Sequence, residues 1–465
     1  MPSLQKQAIA EKIAEFAETT NYDSLPENVI YFSKFFILDH LGCVLGGVPL
    51  KSSKIIAETI KELGGKEQAT LVGYPFKTSM PNAALVNATT GHGLEMDDDH
   101  RIATMHPGVA VIPAALATGE GFGKDGKTLI VSVALGLETM IRAGEAFLGV
   151  SYKQGFHPTG TCGVFGAAVA SAKTMVLNRE GLVNALGIAG SQSSGLREAR
   201  AQGTWGKRLQ AGHPSMCGVL SALLAKRGFT GPATIFEGDD GFLRAYSYKD
   251  QYDGNQILQS LGKKWEMLET SIKVHACCRF AAPIIDCTLE IVRKNRIHVD
   301  EIDEIVASSS QIIIDAITKP KERKINPQTI VDAQFSLPYC VAAAVVRKKA
   351  FVEEFTEESI RDKNILALIP KVKWFIDPED EKNYPQYYSA TVRMKMKDGH
   401  EHKARLDYPK GDPENPVSKE EIEEKFLSLS EKILAKGNSL KVVDAIWNLE
   451  SLRDVNQLTR FLVPG

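Results

Sequence analysis

The 465-residue chain carries 55 basic and 57 acidic residues, a net charge of −2, and is 43% hydrophobic. This is the balance of a globular protein, with no overall attraction to nucleic acid or to an anionic membrane, so neither is expected as a partner. The length exceeds what one core usually fills, so two domains are expected.

No apolar region follows the starting Met-Pro-Ser-Leu, and no apolar run approaches bilayer-spanning length. Neither a secretory signal nor a membrane segment is therefore expected. Seven cysteines without paired spacing fit reduced thiols in the cytoplasm better than a disulfide framework.

In chain order, the first half reads as helices. Leu4, Ile9, Ile13 and Phe16 form a stripe over 4–19, and an apolar helix over 27–46 ends at Gly46-Gly47. Lys51–Leu63 is amphipathic, Ala69–Tyr74 is extended, and 80–96 is a helix of small residues. Val111–Glu120, Thr128–Phe147, Gly163–Thr174, Glu180–Gln192 and His213–Arg227 continue the helical texture, rich in Ala and Gly.

The texture changes near residue 265. Asp303–Asp315 reads as one long strand or a strand pair. Residues 390–397 alternate apolar and polar, Asp398-Gly399 is a hairpin turn, and His400–Tyr408 is the returning strand. Residues 418–436 return to an amphipathic helix, and 440–460 suit another. The expected fold is mainly α: a large helical domain from both chain ends (1–265 plus 409–465) with an inserted α+β lid (266–408) holding an antiparallel sheet.

Five stretches break the helical pattern with ionisable residues, glycine and proline. The densest, 92–107, holds His92, Glu95, Asp97, Asp98, Asp99, His100 and His106. The others are 155–160 with His157, 203–210 with Lys207, Arg208 and Gln210, 273–279 with Lys273, Cys278 and Arg279, and 334–339 with Tyr339. Each alone is more often structural: a solvated acidic helix end, a surface Lys-Arg pair, a buried thiol. Converging on one pocket, they would suit proton transfer beside the carboxylates of a small polyacid.

His106-Pro107 and His157-Pro158 each precede an Ala/Gly-rich helix, and His213-Pro214 is a third such pair. A histidine at a helix start has its pKa lowered by the dipole. His92, His100 and His106 with Asp97 could ligate zinc or iron on paper. Their spacing matches no metal-binding helix pattern, so no metal is expected.

In these stretches the sequence resembles the MmgE/PrpD family, which includes 2-methylcitrate dehydratase, cis-aconitate decarboxylase and iminodisuccinate epimerase. The resemblance extends to Val109–Ala115, Gly228–Pro232, Ile235–Gly238 and Gly411–Pro416. It implies a homodimer with the active site between a helical domain and an α+β lid, no metal or organic cofactor, and a small polycarboxylate substrate. By motif, it implies that His106 and His157 move the proton, that Lys207 and Lys273 hold carboxylates, and that Tyr339 is a pocket tyrosine.

Arg208 and Arg279 are read as further carboxylate clamps, and the acidic cluster as setting histidine tautomers and pKa values. Glu95 and Asp99 stand where decarboxylase-type members have Asp and Thr. Gln210 replaces a histidine common in the family, and Cys278 a histidine of the decarboxylase. These departures place dehydration of a hydroxy-polycarboxylate first. Epimerisation, cis-aconitate decarboxylation and an inactive binding fold remain as alternatives.

Overall fold

The computed structural model describes residues 7–464. The first part of the chain is a helical body whose main helices are Ile9–Thr19, Glu27–Gly47, Lys51–Leu63, Met80–Gly91, Pro107–Gly121, Gly126–Glu145, Pro158–Thr174, Arg179–Gly190 and Gly206–Ala225. The part of the first expected helix that includes Leu4 lies outside the described residues. Pro158–Thr174 sits at the centre, packed against 107–121, 126–145 and 206–225. Its small residues make that approach feasible: a Cβ on Gly166 would stand 2.6 Å from the carbonyl oxygen of Gly136.

The C-terminal helices Lys419–Ser430 and Lys436–Trp447 return to pack on Glu27–Gly47. One apolar core accordingly draws on Ile9 through Ile272 and again on Val417 through Leu462. A second core draws on Ala276 through Ala404 and takes in Cys43, Leu94, Met96 and Leu429 from the helical body.

The second core lies against a four-stranded sheet. Its order is Val372–Ile376, Ile302–Ser309, Ala390–Met396, Glu401–Leu406. The last three strands pair antiparallel, and Val372–Ile376 adds as a parallel edge. Val392, Met394 and Met396 are buried while Arg393 and Lys395 face out, as the alternation expects. Helices Ala282–Lys294 and Leu337–Arg347 pack on the sheet and on each other.

Three expectations need correction. Asp303–Asp315 is neither one long strand nor a strand pair: the strand ends at Ser309 and a helix, Gln311–Thr318, begins, its first N–H bonded to the Glu381 carboxylate at 2.7 Å. Helix 80–96 stops at Gly91; His92–Leu94 form a tight 3₁₀ turn and Glu95 takes a left-handed conformation at φ 55°. Glu27–Gly47, 21 residues long, is apolar enough by length and composition to cross a membrane, contrary to the expectation that no run would be. Here 78% of its most apolar window is buried inside the protein.

That buried helix carries two charges which find partners in the fold. Lys34 donates to the Trp447 carbonyl at 2.9 Å. Asp39 accepts from Lys425, whose ammonium also donates to the carbonyls of Met96 and Lys273 at 2.8 Å each. All three Lys425 donors are thereby used, and burial of the charge is offset. Replacing it leaves Asp39 buried without its cation. Lys425→Met is expected to lower the unfolding free energy by about 3–5 kcal/mol, read by urea denaturation with an unchanged m-value.

Candidate active site

The histidine- and acid-rich stretch runs between two helices and is pinned at both ends. Asp98 accepts the Gly108 N–H at 2.8 Å, satisfying an otherwise unpaired donor at the start of helix Pro107–Gly121. A side chain at 108 would not fit, because its Cβ would stand 2.7 Å from Asp98 Oδ2. Asp99–His100 pairs antiparallel with Thr270–Ser271, which delivers Lys273 beside the stretch. The Gln334 amide donates to the carbonyls of Leu94 and Ala276 at 3.0 and 3.1 Å, joining the stretch to the 273–279 segment.

A cavity opens at this junction. Its walls include Glu95, Asp99, His106, His157, Lys207, Gln210, Cys278 and Arg279. Eight of the twelve expected site residues therefore line one space, with helical-body residues on one side and Cys278, Arg279, Phe280, Phe335 and Tyr388 on the other. Lys207 and Gln210 sit in the first turns of helix Gly206–Ala225, not in a loop, and His213-Pro214 lies inside that helix.

The two proton-moving candidates are each the residue before a proline-initiated helix, as the His-Pro pairs suggest. Their tautomers follow from their partners. His106 Nδ1 lies 2.7 Å from the Asp98 carbonyl, which can only accept, so Nδ1 carries the proton. His157 Nδ1 lies 2.9 Å from Gln210 Oε1, while Gln210 Nε2 donates to the Leu196 carbonyl at 2.6 Å. Both Nε2 atoms are left with lone pairs. Burial holds both imidazoles well below the ordinary histidine pKa, Asp97 opposing for His106 and Lys207 adding to the effect for His157. The direction is the one a helix start favours, but burial is the main cause.

A third histidine completes the group. Lys207 Nζ donates to His92 Nε2 at 2.8 Å, so His92 Nδ1 is protonated and donates to Asp97 at 2.7 Å. Sequence spacing gives His92 and His100 equal standing, with His106 and Asp97, in a nominal metal-ligand set that no metal-binding pattern supports. His100 instead accepts the Ala103 N–H at 3.1 Å through Nδ1, with Nε2 turned toward Glu145. The imidazoles that converge are His92, His106 and His157, with ligating nitrogens within 4.8 Å of one another. They are the residues that could hold a metal ion, although the Lys207 ammonium already takes the His92 lone pair.

Opposite charges balance beneath the histidines. Lys207 contacts both oxygens of Glu95 at 2.7 and 2.8 Å. Lys273 Nζ stands 3.5 Å from Asp97 and 3.8 Å from Glu95. Burial opposes the charge on both carboxylates; Lys207, His92 and Lys273 nonetheless lower the pKa of Glu95, and His92, Lys273 and His106 hold Asp97 well below the carboxylate range. Burial also opposes the Lys273 ammonium, whose pKa is raised by Asp97, Glu95 and Asp99. Asp99 goes the other way: burial lifts it to about 6, against Arg279 and Lys273.

Four expected residues do not line the cavity. Asp97 and Lys273 lie behind its wall, buried to 1% and 2% exposure. Arg208 faces a different cleft and donates to Ser52 Oγ at 2.6 Å. Tyr339 is a correction to the pocket-tyrosine expectation: it is wholly buried in the second core, and its hydroxyl donates to the Glu354 carbonyl at 2.6 Å. The tyrosines that do line the cavity are Tyr152 and Tyr388, and Arg197 lies over the Tyr152 ring at 3.4 Å. Arg279, on the wall, is paired with Asp412. No sequence pattern singles out Arg197; it is set there by the Gly-flanked 155–157 segment, where its N–H bonds the Gly155 carbonyl at 2.8 Å and Phe156 pairs with Leu196.

Fold and site together define a protein that holds neutral imidazoles and the paired ammonium of Lys207 in a cleft between a helical body and a sheet-containing lobe, an arrangement suited to proton transfer. Residues 11–255 match the MmgE/PrpD N-terminal domain and 275–449 the MmgE/PrpD C-terminal domain. The chain belongs to the MmgE/PrpD family.

Similar curated proteins include the cis-aconitate decarboxylase-like protein oryM of Aspergillus oryzae, 27% identical over 93% of both chains. The cis-aconitate decarboxylase of Aspergillus terreus is 25% identical over 98% of this chain and 96% of its own. The human cis-aconitate decarboxylase is 26% identical over 98% and 95%.

The placement of Tyr339 has a measurable consequence. Tyr339→Phe strands the buried Glu354 carbonyl and is expected to cost about 1–3 kcal/mol of stability. Ligand affinity, read by calorimetry, should stay unchanged.

Proposed function

We propose that the protein is a lyase that takes a proton from the carbon beside a carboxylate of a small hydroxy-polycarboxylate and expels the hydroxyl, with 2-methylcitrate as the first candidate. The observation that carries this reading is the pair of Nε2 lone pairs on His106 and His157. Both rings are neutral, both Nδ1 positions are committed to acceptors, and both residues line the cavity. A neutral imidazole with a free lone pair is a base, so abstraction is the step the cavity is prepared for.

The proton passes from carbon to an Nε2, and the C–H electron pair becomes the new carbon–carbon double bond as the C–O bond breaks. The imidazolium so formed is disfavoured by burial and is a strong acid. It returns its proton to the departing hydroxyl, which leaves as water. Lys207 and Arg279, on the cavity wall, supply positive charge for the substrate's carboxylates, whose negative charge grows during abstraction.

Decarboxylation is the second reading, supported by the names of the relatives from Aspergillus terreus and human. It begins with loss of carbon dioxide and needs a proton donor for the carbanion, a role less suited to two neutral imidazoles. Epimerisation would use the same abstraction and return the proton to the opposite face.

Citrate, 2-methylcitrate, cis-aconitate and iminodisuccinate, each incubated in deuterated water, separate the three. The expected product is an alkene with ultraviolet absorbance from a hydroxy-acid. Carbon dioxide from cis-aconitate alone, or labelled and inverted starting material alone, would overturn dehydration.

His106→Ala and His157→Ala should each lower kcat by about 10²–10⁴-fold, and unchanged turnover would refute the assignment of the base. A base must be unprotonated to act, and the folded imidazole pKa values lie below the ordinary one. The fall in kcat/KM caused by imidazole protonation is therefore expected only below about pH 6.5, in a pH–rate profile.

A further inference from the structure

One carboxylate on the cavity wall has no part in the scheme above. Glu95 accepts from Lys207, Asp97 from His92, and Asp98 from the Gly108 N–H. Asp99 is 7% exposed and lines the cavity, yet among the described residues its carboxylate accepts no hydrogen bond. The nearest ring nitrogen, His106 Nδ1, is 3.7 Å away and already donates to the Asp98 carbonyl. Arg279, the cation that acts on Asp99 most strongly, donates to Asp412 through Nη2 and makes no hydrogen bond to Asp99, its Nη1 having no hydrogen-bond partner among the described residues. The Asp99 side chain keeps 10% exposure and lines the cavity, so a ligand seated there displaces its water and must supply a donor in exchange.

We propose that Asp99 is a substrate-contacting specificity residue whose carboxylate receives a hydrogen bond from a hydroxyl or protonated nitrogen on the bound polycarboxylate. The inference rests on the reading of the cavity as a polycarboxylate site. It adds the requirement of a hydrogen-bond donor on the ligand, which a hydroxy- or an amino-polycarboxylate meets. A ligand made of carboxylates and carbon alone would bring like charge against Asp99 and leave its oxygens unpaired. A donor on the ligand removes the second penalty, and a protonated nitrogen also offsets the first. Sites built to pair a ligand's polar group reject the analogue that lacks it far more strongly than apolar pockets reject a missing methylene.

The test compares ligands matched in carboxylates and differing in the donor: citrate against propane-1,2,3-tricarboxylate, and malate and aspartate each against succinate. Binding is measured by calorimetry at about pH 8, where a group titrating at about 6 is ionised. In the wild-type protein the donor-bearing member is expected to bind about tenfold or more tightly. Preference for malate identifies a hydroxyl partner, and preference for aspartate a protonated nitrogen.

Asp99→Ala should reduce the ratio to about twofold or less, while Asp99→Asn, whose amide oxygen still accepts, should keep part of it. Equal affinities within every pair of the wild-type protein overturn the proposal and leave the polycarboxylate reading standing. So does an unchanged ratio in a folded Asp99→Ala. Failure of all five acids to bind, with no His106-dependent turnover, overturns that reading and this one with it.

Discussion

The Lys425 ammonium holds together three segments that the sequence keeps far apart. Its donors reach Asp39 in the buried helix Glu27–Gly47, the Met96 carbonyl in the acidic stretch, and the Lys273 carbonyl at the start of the second lobe. A lysine this deep is tolerated only when every donor is met, so the three segments must come to one place for any of them to be stable there. Asp97 and Lys273, each next to or at one of those carbonyls, are thereby set 3.5 Å apart. The charge balance under the cavity depends on that clamp.

From there the order of dependence runs outward to the chemistry. Asp97 fixes His92, and His92 and Glu95 together fix the Lys207 ammonium. Backbone and amide oxygens fix His106 and His157. Those two histidines are held by neutral acceptors, while the histidine behind them is held by a carboxylate. A neutral acceptor favours the ring's cation less than a carboxylate does, and for His157 burial outweighs the upward pull of the Gln210 bond. Asp99 is left as a wall carboxylate that accepts no hydrogen bond among the described residues.

Much of the fold was legible, and the misses share a cause. Helices such as Pro158–Thr174 announce themselves through small residues and a leading His-Pro, and the 390–406 hairpin through strict alternation and Asp398-Gly399. The end of the strand at Ser309 was missed because Ile312, Ile313 and Ile314 extend an apolar, β-branched run whose period is too short to separate strand from helix. The span of Glu27–Gly47 was underrated because Lys34, Asp39 and His40 interrupt its apolar texture. Those interruptions are groups the tertiary fold buries, two of them the charges it pairs.

At the site, residue types were readable and positions were not. The clustering of histidines and carboxylates in 92–106 and the His-Pro pairs were enough to single out His106 and His157, because a local pattern determines which residue precedes a helix. No local pattern could separate His92 from His100, Tyr339 from Tyr388, or Arg208 from Arg197. In each case the choice is made by which partner lies across a gap of 15 to 156 residues: Lys207 for His92, the Glu354 carbonyl for Tyr339, Ser52 for Arg208. The sequence by itself determined the helical body, the sheet-containing lobe, the family and the stock of acid–base groups, since these follow from local periodicity and motif. Only the tertiary structure decided which groups face the cavity and which are spent holding it, because burial and pairing are settled by contacts between segments.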